Sequence, residues 1–145
     1  LRFLKHEVEQ LRKPILGICL GAQYLTEFSE ESQTPGFGWI SGRTIRFDPS
    51  RMNTALPLPH MGWNDVHPQQ AHPLIDGLPA SSRFYFLHGY HFSDIPPEQQ
   101  LLTCHYGYSF VCAVAREHVM GVQFHPEKSH TVGLQLLQNF VQWRI

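Results

Sequence analysis

Hydrophobic and polar positions change period several times in the first third of the chain. Apolar residues at positions 1, 4, 8 and 11 have helical spacing and predict a helix over residues 1–12. Residues 14–19, PILGIC, form an apolar run typical of a short buried strand, and a second helix is predicted over residues 22–31. Residues 35–47 begin with turn residues and end in the alternation of a strand.

The rest of the chain has strand patterns up to its last helix. An aromatic-rich segment covers residues 82–92, and strands are predicted over residues 101–107 and 109–115 with a turn between them. Residues 119–125 predict another short strand, and residues 131–143 a final helix. The apolar face predicted for this helix consists of Leu134, Leu137, Phe140 and Val141.

These elements predict one α/β domain over residues 1–145, with a mixed, mainly parallel sheet and helices on both faces. A chain of this length can bury one sizeable core. The sequence begins within a predicted helix, whereas a doubly wound sheet has at least one βα unit ahead of a strand such as residues 14–19. We therefore expect the N-terminal βα portion of the fold to be absent.

Composition and charge narrow the function classes. A formal charge of −1 argues against nucleic acid as a partner, because phosphate binding needs a basic excess. No apolar run of membrane-spanning length and no signal-like start are present, so no membrane partner is expected. Three cysteines without framework spacing suit a reducing cytoplasm. Ten histidines require a metal site to be considered.

The segment from Leu16 to Gly21 has the form G-x-C-x-G between a predicted strand and a predicted helix. This is the thiol version of a nucleophile elbow, in which neighbouring glycines remove Cβ atoms that would clash in a sharp turn. Cys19 would lie at a helix N-terminus, which favours the thiolate, and the amide of Leu20 would face a developing oxyanion. The alternative is a buried structural cysteine flanked by glycines.

A thiol nucleophile needs a base, and the segment VQFHPEKS offers one. His125 and Glu127 are two residues apart at the end of a predicted strand, so their side chains can lie on the same side and Glu127 can orient the imidazole. Alone, this pattern could equally be a surface turn with a casual ion pair. Together with the Cys19 turn it predicts a Cys-His-Glu triad.

These motifs resemble class I glutamine amidotransferases, through GICLGAQ around Cys19 and GVQFHPEKS around His125. Within that family the chain is most similar to the glutaminase subunits of imidazole glycerol phosphate synthases. The supporting stretches are SEE at 29–31, GFGWISG at 36–42, PHMGWN at 59–64, FYFLHGY at 84–90 and the YG-x-x-F of 106–110. The resemblance implies a flavodoxin-like fold and no cofactor.

The resemblance also implies roles for residues. Cys19 would attack the glutamine carboxamide, His125 would transfer the proton and Glu127 would hold the imidazole. The family usually has Ser at the position of Gly89, so this chain lacks one hydroxyl contact to the substrate. The substrate-binding positions implied by the family are Gln23, Glu31 for the substrate ammonium, and His88, Gly89 and Tyr90 for its carboxylate.

In this family the ammonia passes to a (β/α)8-barrel cyclase subunit, which makes the glutaminase half of a heterodimer. Trp63, Asn64 and Lys128 match positions that face that partner. An upstream glycine-rich strand supplies part of the family's oxyanion hole. Because that segment is expected to be absent, we predict little or no glutaminase activity for residues 1–145 alone.

Other functional hypotheses are compatible with parts of this sequence. A metal-dependent hydrolase could use His88 and His91, but residues i and i+3 of a strand face opposite sides and no metal-binding motif appears, so no metal is predicted. A thiol peptidase on the same fold, or a non-catalytic scaffold, remains possible from the residues. A paralogous glutaminase that supplies ammonia to a cyclase-like partner, which aminates a surface-polysaccharide sugar, fits the motifs equally well.

Overall fold

The computed structural model describes residues 1–143, and each element follows from the local pattern of side chains. A helical start, α1, runs into a π-helical segment over His6–Gln10. Single 3₁₀ turns cover Pro49–Arg51, Pro73–Ile75, Pro97–Gln99 and Pro126–Lys128. The helices and strands are α1 Arg2–Lys5, β1 Ile15–Ile18, α2 Leu20–Gln23, β2 Phe28–Ser29, β3 Thr34–Pro35, β4 Arg43–Arg46, β5 His60–Pro68, β6 Arg83–His88, β7 Tyr90–Ser93, β8 Gln100–Tyr106, β9 Tyr108–Arg116, β10 Val119–Val122 and α3 His130–Gln142.

The strands form one mixed sheet in the order β3-β2-β4-β7-β9-β8-β5-β6, with β10 beside β9 and β1 beside β10. The α/β prediction with a mixed sheet is therefore confirmed. The expectation of mainly parallel pairing was wrong for the described strands, because only β1–β10 and β2–β4 are parallel. Tight turns connect β8 to β9 and β9 to β10, and a tight turn makes neighbouring strands antiparallel.

Apolar residues cover both faces of the sheet. One cluster contains Phe84, Phe86 and Phe124 and receives Leu136 from α3. The other contains Val8 from the N-terminal helical segment together with Ala22, which lies in α2. Helices therefore pack on both faces, as predicted. Within residues 1–143 no helix is both long and apolar enough to cross a membrane.

The second predicted helix was too long. α2 contains four residues, and the chain beyond it turns into the short strand β2. The Thr26 hydroxyl contacts Gln23 O at 2.8 Å and Phe28 O at 3.2 Å, and such side-chain bonds to carbonyls compete with helix continuation. The predicted strands in residues 101–125 and the final helix are confirmed in type.

The predicted apolar face of α3 was rotated from the real one. Leu134 is 57% exposed, whereas Gly133 and Leu136 are buried. A Cβ atom at Gly133 would lie 1.8 Å from Pro126 O, so only glycine allows α3 to approach this closely. The contact fixes the rotation of the helix and its position beside the Pro126–Lys128 turn.

Candidate active site

The pairing of β1 with β10 brings the two sequence motifs to one edge of the sheet. The strands are parallel, with Ile18 opposite Val122, so their carboxyl ends lie together. Cys19 follows β1, and its backbone N–H donates to Val122 O at 2.8 Å. His125 begins the turn just beyond β10. Residues far apart in sequence therefore meet at the carboxyl edge of adjacent strands, as sites in α/β sheets commonly do.

Cys19 has a backbone conformation that side-chain-bearing residues rarely adopt, with φ 50° and ψ −111°. Such conformations persist where surrounding structure enforces them, and they concentrate at functional sites. A Cβ at Gly17 would lie 2.7 Å from Ala22 Cα, so this glycine is required for the close approach of strand and helix. At Gly21 a Cβ would meet no atom within 4 Å, so the predicted steric role of the second glycine was wrong.

The Cys19 thiol has two polar neighbours. It donates to Leu87 O at 3.8 Å and accepts from Gln123 Nε2 at 3.8 Å. In the described part of the chain no hydrogen bond joins the sulfur to His125. The thiol is thus held between the end of β6 and the residue that follows β10.

Burial raises the pKa of the Cys19 thiol above its ordinary value and is the largest influence on it. The Leu20 backbone N–H lowers that pKa, as does the Gln123 amide, while the carboxylates of Glu31 and Glu127 raise it. The Leu20 N–H at the start of α2 acts in the direction expected for a helix N-terminus, but the net shift of the Cys19 pKa is upward. Cys19 requires a base.

His125 has a carboxylate partner and a fixed backbone. Its Nδ1 lies 2.7 Å from Glu127 Oε1, which confirms the predicted contact. Its N–H donates to Tyr85 O at 2.9 Å, and its carbonyl accepts from the Ser129 hydroxyl at 2.6 Å. The bond to Glu127 assigns the proton to Nδ1, so Nε2 of a neutral ring is free to accept a proton. This arrangement can serve as a general base.

A buried chain of polar side chains lies behind the site. His88 Nδ1 is 2.6 Å from the Tyr90 carbonyl, which only accepts, so Nδ1 carries the proton. His88 Nε2 therefore accepts from His60 Nδ1 at 2.8 Å, and Asn64 Nδ2 donates to His60 Nε2 at 3.3 Å. Burial lowers the pKa of His88 to about 3 and that of His60 to about 4, so both rings are neutral.

The predicted substrate-binding residues fall in different environments. Gln23 is 2% exposed, and His88 is 5% exposed and bonded inward, so neither side chain is open to a ligand in this arrangement. Glu31 is exposed and close enough to affect the Cys19 pKa. A side chain at Gly89 would enter open space, and Tyr90 is half-buried. Their binding roles stay predictions.

Of the predicted partner-facing residues, Trp63 and Asn64 lie on opposite faces of β5, and Lys128 lies in the turn that follows β10. Trp63 is 41% exposed and stacks on His130 with ring centroids 5.2 Å apart, while Lys128 Nζ lies 5.9 Å from the Tyr85 ring. Asn64 is the next residue of the strand and donates to the His105 carbonyl at 2.9 Å. Adjacent strand residues face opposite sides, so Asn64 does not share the Trp63 surface.

Sequence reasoning missed three residues that hold the site: Gln123, the carbonyl of Leu87, and Ser129. Gln123 stands two positions before His125, and the period-two rule could have singled it out. The Leu87 carbonyl contacts the thiol, and the Ser129 hydroxyl accepts from the Tyr85 N–H and donates to the His125 carbonyl. Both roles depend on contacts with other elements and gave no local signal. Among residues 1–143 no group of three or more His, Cys, Asp or Glu side chains is arranged to hold a metal ion.

The fold and the site define an α/β protein with a cysteine on a strand-to-helix turn and a His–Glu pair beside it. The model of the glutamine amidotransferase class-I family matches residues 3–143, and the chain belongs to that family. It is 48% identical over 139 residues to the imidazole glycerol phosphate synthase subunit HisH 2 of Pseudomonas aeruginosa, covering 96% of this chain and 67% of that protein. It is 49% identical over 134 residues to HisH of Nitrosococcus oceani, covering 90% and 62%.

The chain thus spans about two thirds of the length of these curated relatives. Solved structures agree on the fold. A glutamine amidotransferase from Thermotoga maritima superposes with a TM-score of 0.62 at 21% identity, covering 96% of this chain and 51% of that one. A second glutamine amidotransferase gives a TM-score of 0.65 at 19% identity, covering 95% and 66%. At this identity the likeness concerns the fold alone.

Proposed function

We propose that this chain contributes the nucleophile, its base and the orienting carboxylate to a glutaminase that hydrolyses glutamine to glutamate and ammonia, and that residues 1–145 alone have little or none of this activity. The single observation that carries this proposal is the placement of Cys19 and the His125–Glu127 pair at the ends of two hydrogen-bonded parallel strands. Membership of the glutamine amidotransferase class-I family supplies the substrate class. We place the activity in the cytoplasm, where the three free thiols would stay reduced.

The chemistry follows from the positions of these groups. His125 Nε2 takes the Cys19 proton, and the thiolate attacks the carboxamide carbon of glutamine to form a tetrahedral oxyanion next to the Leu20 N–H. The C–N bond then breaks, ammonia leaves with the proton returned by His125, and a thioester remains. Water activated by His125 cleaves the thioester to glutamate and free thiol. Glu127 keeps the imidazole oriented and stabilises its charged form.

We further propose that the ammonia enters a (β/α)8-barrel cyclase subunit in histidine biosynthesis. The names of the relatives support this partner, since they are subunits of imidazole glycerol phosphate synthase. The exposed surface of β5 and β6 suits a protein contact, because Met61 and Trp63 are exposed apolar residues beside the strand that contacts the thiol. Lys128 adds a charge at the rim of this surface.

Labelling with a glutamine-analogue electrophile tests the substrate. We expect such a reagent to form a covalent adduct at Cys19 in the full-length protein, because it needs both the thiol and a pocket for the glutamine backbone. Peptide mass mapping locates the adduct, and Cys19→Ser is the matched control. A protein that reacts at Cys19 with a simple alkylating agent but not with the analogue would favour a peptidase instead.

A further inference from the structure

A chain of hydrogen bonds runs from the domain interior to the Cys19 sulfur. Gln23 Nε2 donates to Gln123 Oε1 at 3.3 Å, and Gln123 Nε2 donates to Cys19 Sγ at 3.8 Å. Both glutamine side chains are buried. The backbone of Gln123 is fixed by its N–H, which donates to Cys112 O at 2.8 Å. A long polar side chain is thereby held rigidly against the sulfur.

We propose that Gln123 is a positioning residue for the nucleophile, and that Gln23 holds the Gln123 amide in the orientation that presents an N–H to the sulfur. The inference rests on the proposed function in taking Cys19 as the nucleophile. The supporting role of Gln23 behind the thiol is separate from the glutamine contact that the family resemblance implies, and the two are compatible.

Orientation matters because a glutamine amide has a donor end and an acceptor end, whereas a thiolate only accepts. Gln23 donates to the oxygen of Gln123, which leaves the nitrogen end for Cys19. The reversed amide would place oxygen lone pairs against the sulfur and oppose its ionisation. The Gln123 donor lowers the pKa of the Cys19 thiol and so partly offsets burial.

The energetics of the pair favour a functional explanation. Gln23 Oε1 is buried and has no hydrogen-bond partner among residues 1–143. A buried acceptor without a partner is unfavourable for folding stability. The glutamine pair is therefore better explained by what it does for the thiol than by a contribution to the core.

The rate of iodoacetamide alkylation as a function of pH tests the proposal. Cys19 is the half-buried thiol, whereas Cys104 and Cys112 are buried and their pKa values are raised, to about 12 for Cys104. Gln123→Met removes the amide and keeps the side-chain length. We expect it to slow alkylation of Cys19 roughly tenfold near neutral pH and to displace the pH profile upward, because a hydrogen bond to the thiolate is lost.

Gln23→Met should have a smaller effect, roughly threefold in the same direction, because Gln123 remains but loses its fixed orientation. The double variant should match Gln123→Met alone, since Gln23 acts through Gln123. Gln99→Met is the matched control, a buried glutamine bonded to Ser41, and should leave the Cys19 profile unchanged.

An unchanged pH profile in Gln123→Met, or effects that multiply in the double variant, would overturn the proposal. Circular dichroism checks folding of each variant. If Gln123→Met does not fold, an unchanged profile in Gln23→Met overturns the proposal by itself. Alkylation needs no glutamine, so a failure of glutamine hydrolysis would contradict the proposed function and leave this result intact.

Discussion

Two regions of the molecule contain the same residue types in opposite environments. At the edge formed by β1 and β10, Cys19 and His125 lie on turns that follow short strands, and both residues are partly exposed. In the interior, His60 and His88 are held between aromatic rings, and Phe47 lies 5.2 Å from His88 by ring centroids. The titratable groups of the first region are partly exposed, whereas burial keeps the two interior histidines neutral.

The difference is one of partners as well as burial. His125 bonds to a carboxylate, whereas His88 bonds to a carbonyl and a second neutral imidazole. Burial of His88 without a charged partner disfavours protonation. A catalytic histidine is therefore identified by its hydrogen-bond partner and not by residue type alone.

The largest effect is expected from removing the edge thiol. Cys19→Ala should reduce glutamine hydrolysis by roughly ten-thousandfold, because nucleophile and base act as a unit. Cys104→Ala, in the interior, should leave the rate within about twofold. Steady-state kinetics on the full-length protein in the presence of the proposed cyclase subunit provide the measurement. A similar loss of glutamine hydrolysis in Cys19→Ala and Cys104→Ala would contradict a catalytic role that is specific to Cys19.

Acid should destabilise the protein through the interior histidines. Their folded pKa values, about 4 and about 3, lie below the ordinary value of about 6.5, so the unfolded chain binds protons first. Stability is fully present above about pH 6.5 and should fall as pH decreases, by up to about 1.4 kcal/mol per pH unit for each histidine. Urea unfolding between pH 7 and pH 5 measures this slope.

His60→Phe should reduce that dependence to the contribution of His88, because the phenyl ring introduced at position 60 has no proton to gain and fits between Phe86 and Tyr106. His67→Gln, at an exposed position of β5, is the control and should keep the full slope. An equal slope in the wild type and in His60→Phe would show that the interior histidine does not control acid stability.

The smallest of the three effects concerns the carboxylate at the edge. Glu127→Gln keeps the shape and weakens the orientation and charge stabilisation of His125, so kcat should fall roughly thirtyfold with little change in KM. The loss is moderate because Glu127 is about half exposed and water can replace part of its contact. A change confined to KM would contradict an orienting role.

Local sequence signals determined a large part of this protein. Features that depend on a short period or on a steric requirement in adjacent residues could be predicted from the sequence. They are the G-x-C-x-G turn, the His125–Glu127 spacing, the strands within residues 101–125 and the final helix. The family followed from the same motifs.

Only the tertiary structure decided the features that depend on distant partners. The antiparallel pairing depends on the turns between strands, because nothing in the sequence of a single strand indicates its direction. The rotation of α3 depends on the close approach of Gly133 to Pro126. The inward bonding of His88 and the Gln23–Gln123–Cys19 chain join residues from different strands and loops. Periodicity describes which side of an element a residue occupies, whereas contacts of this kind depend on which other element packs there.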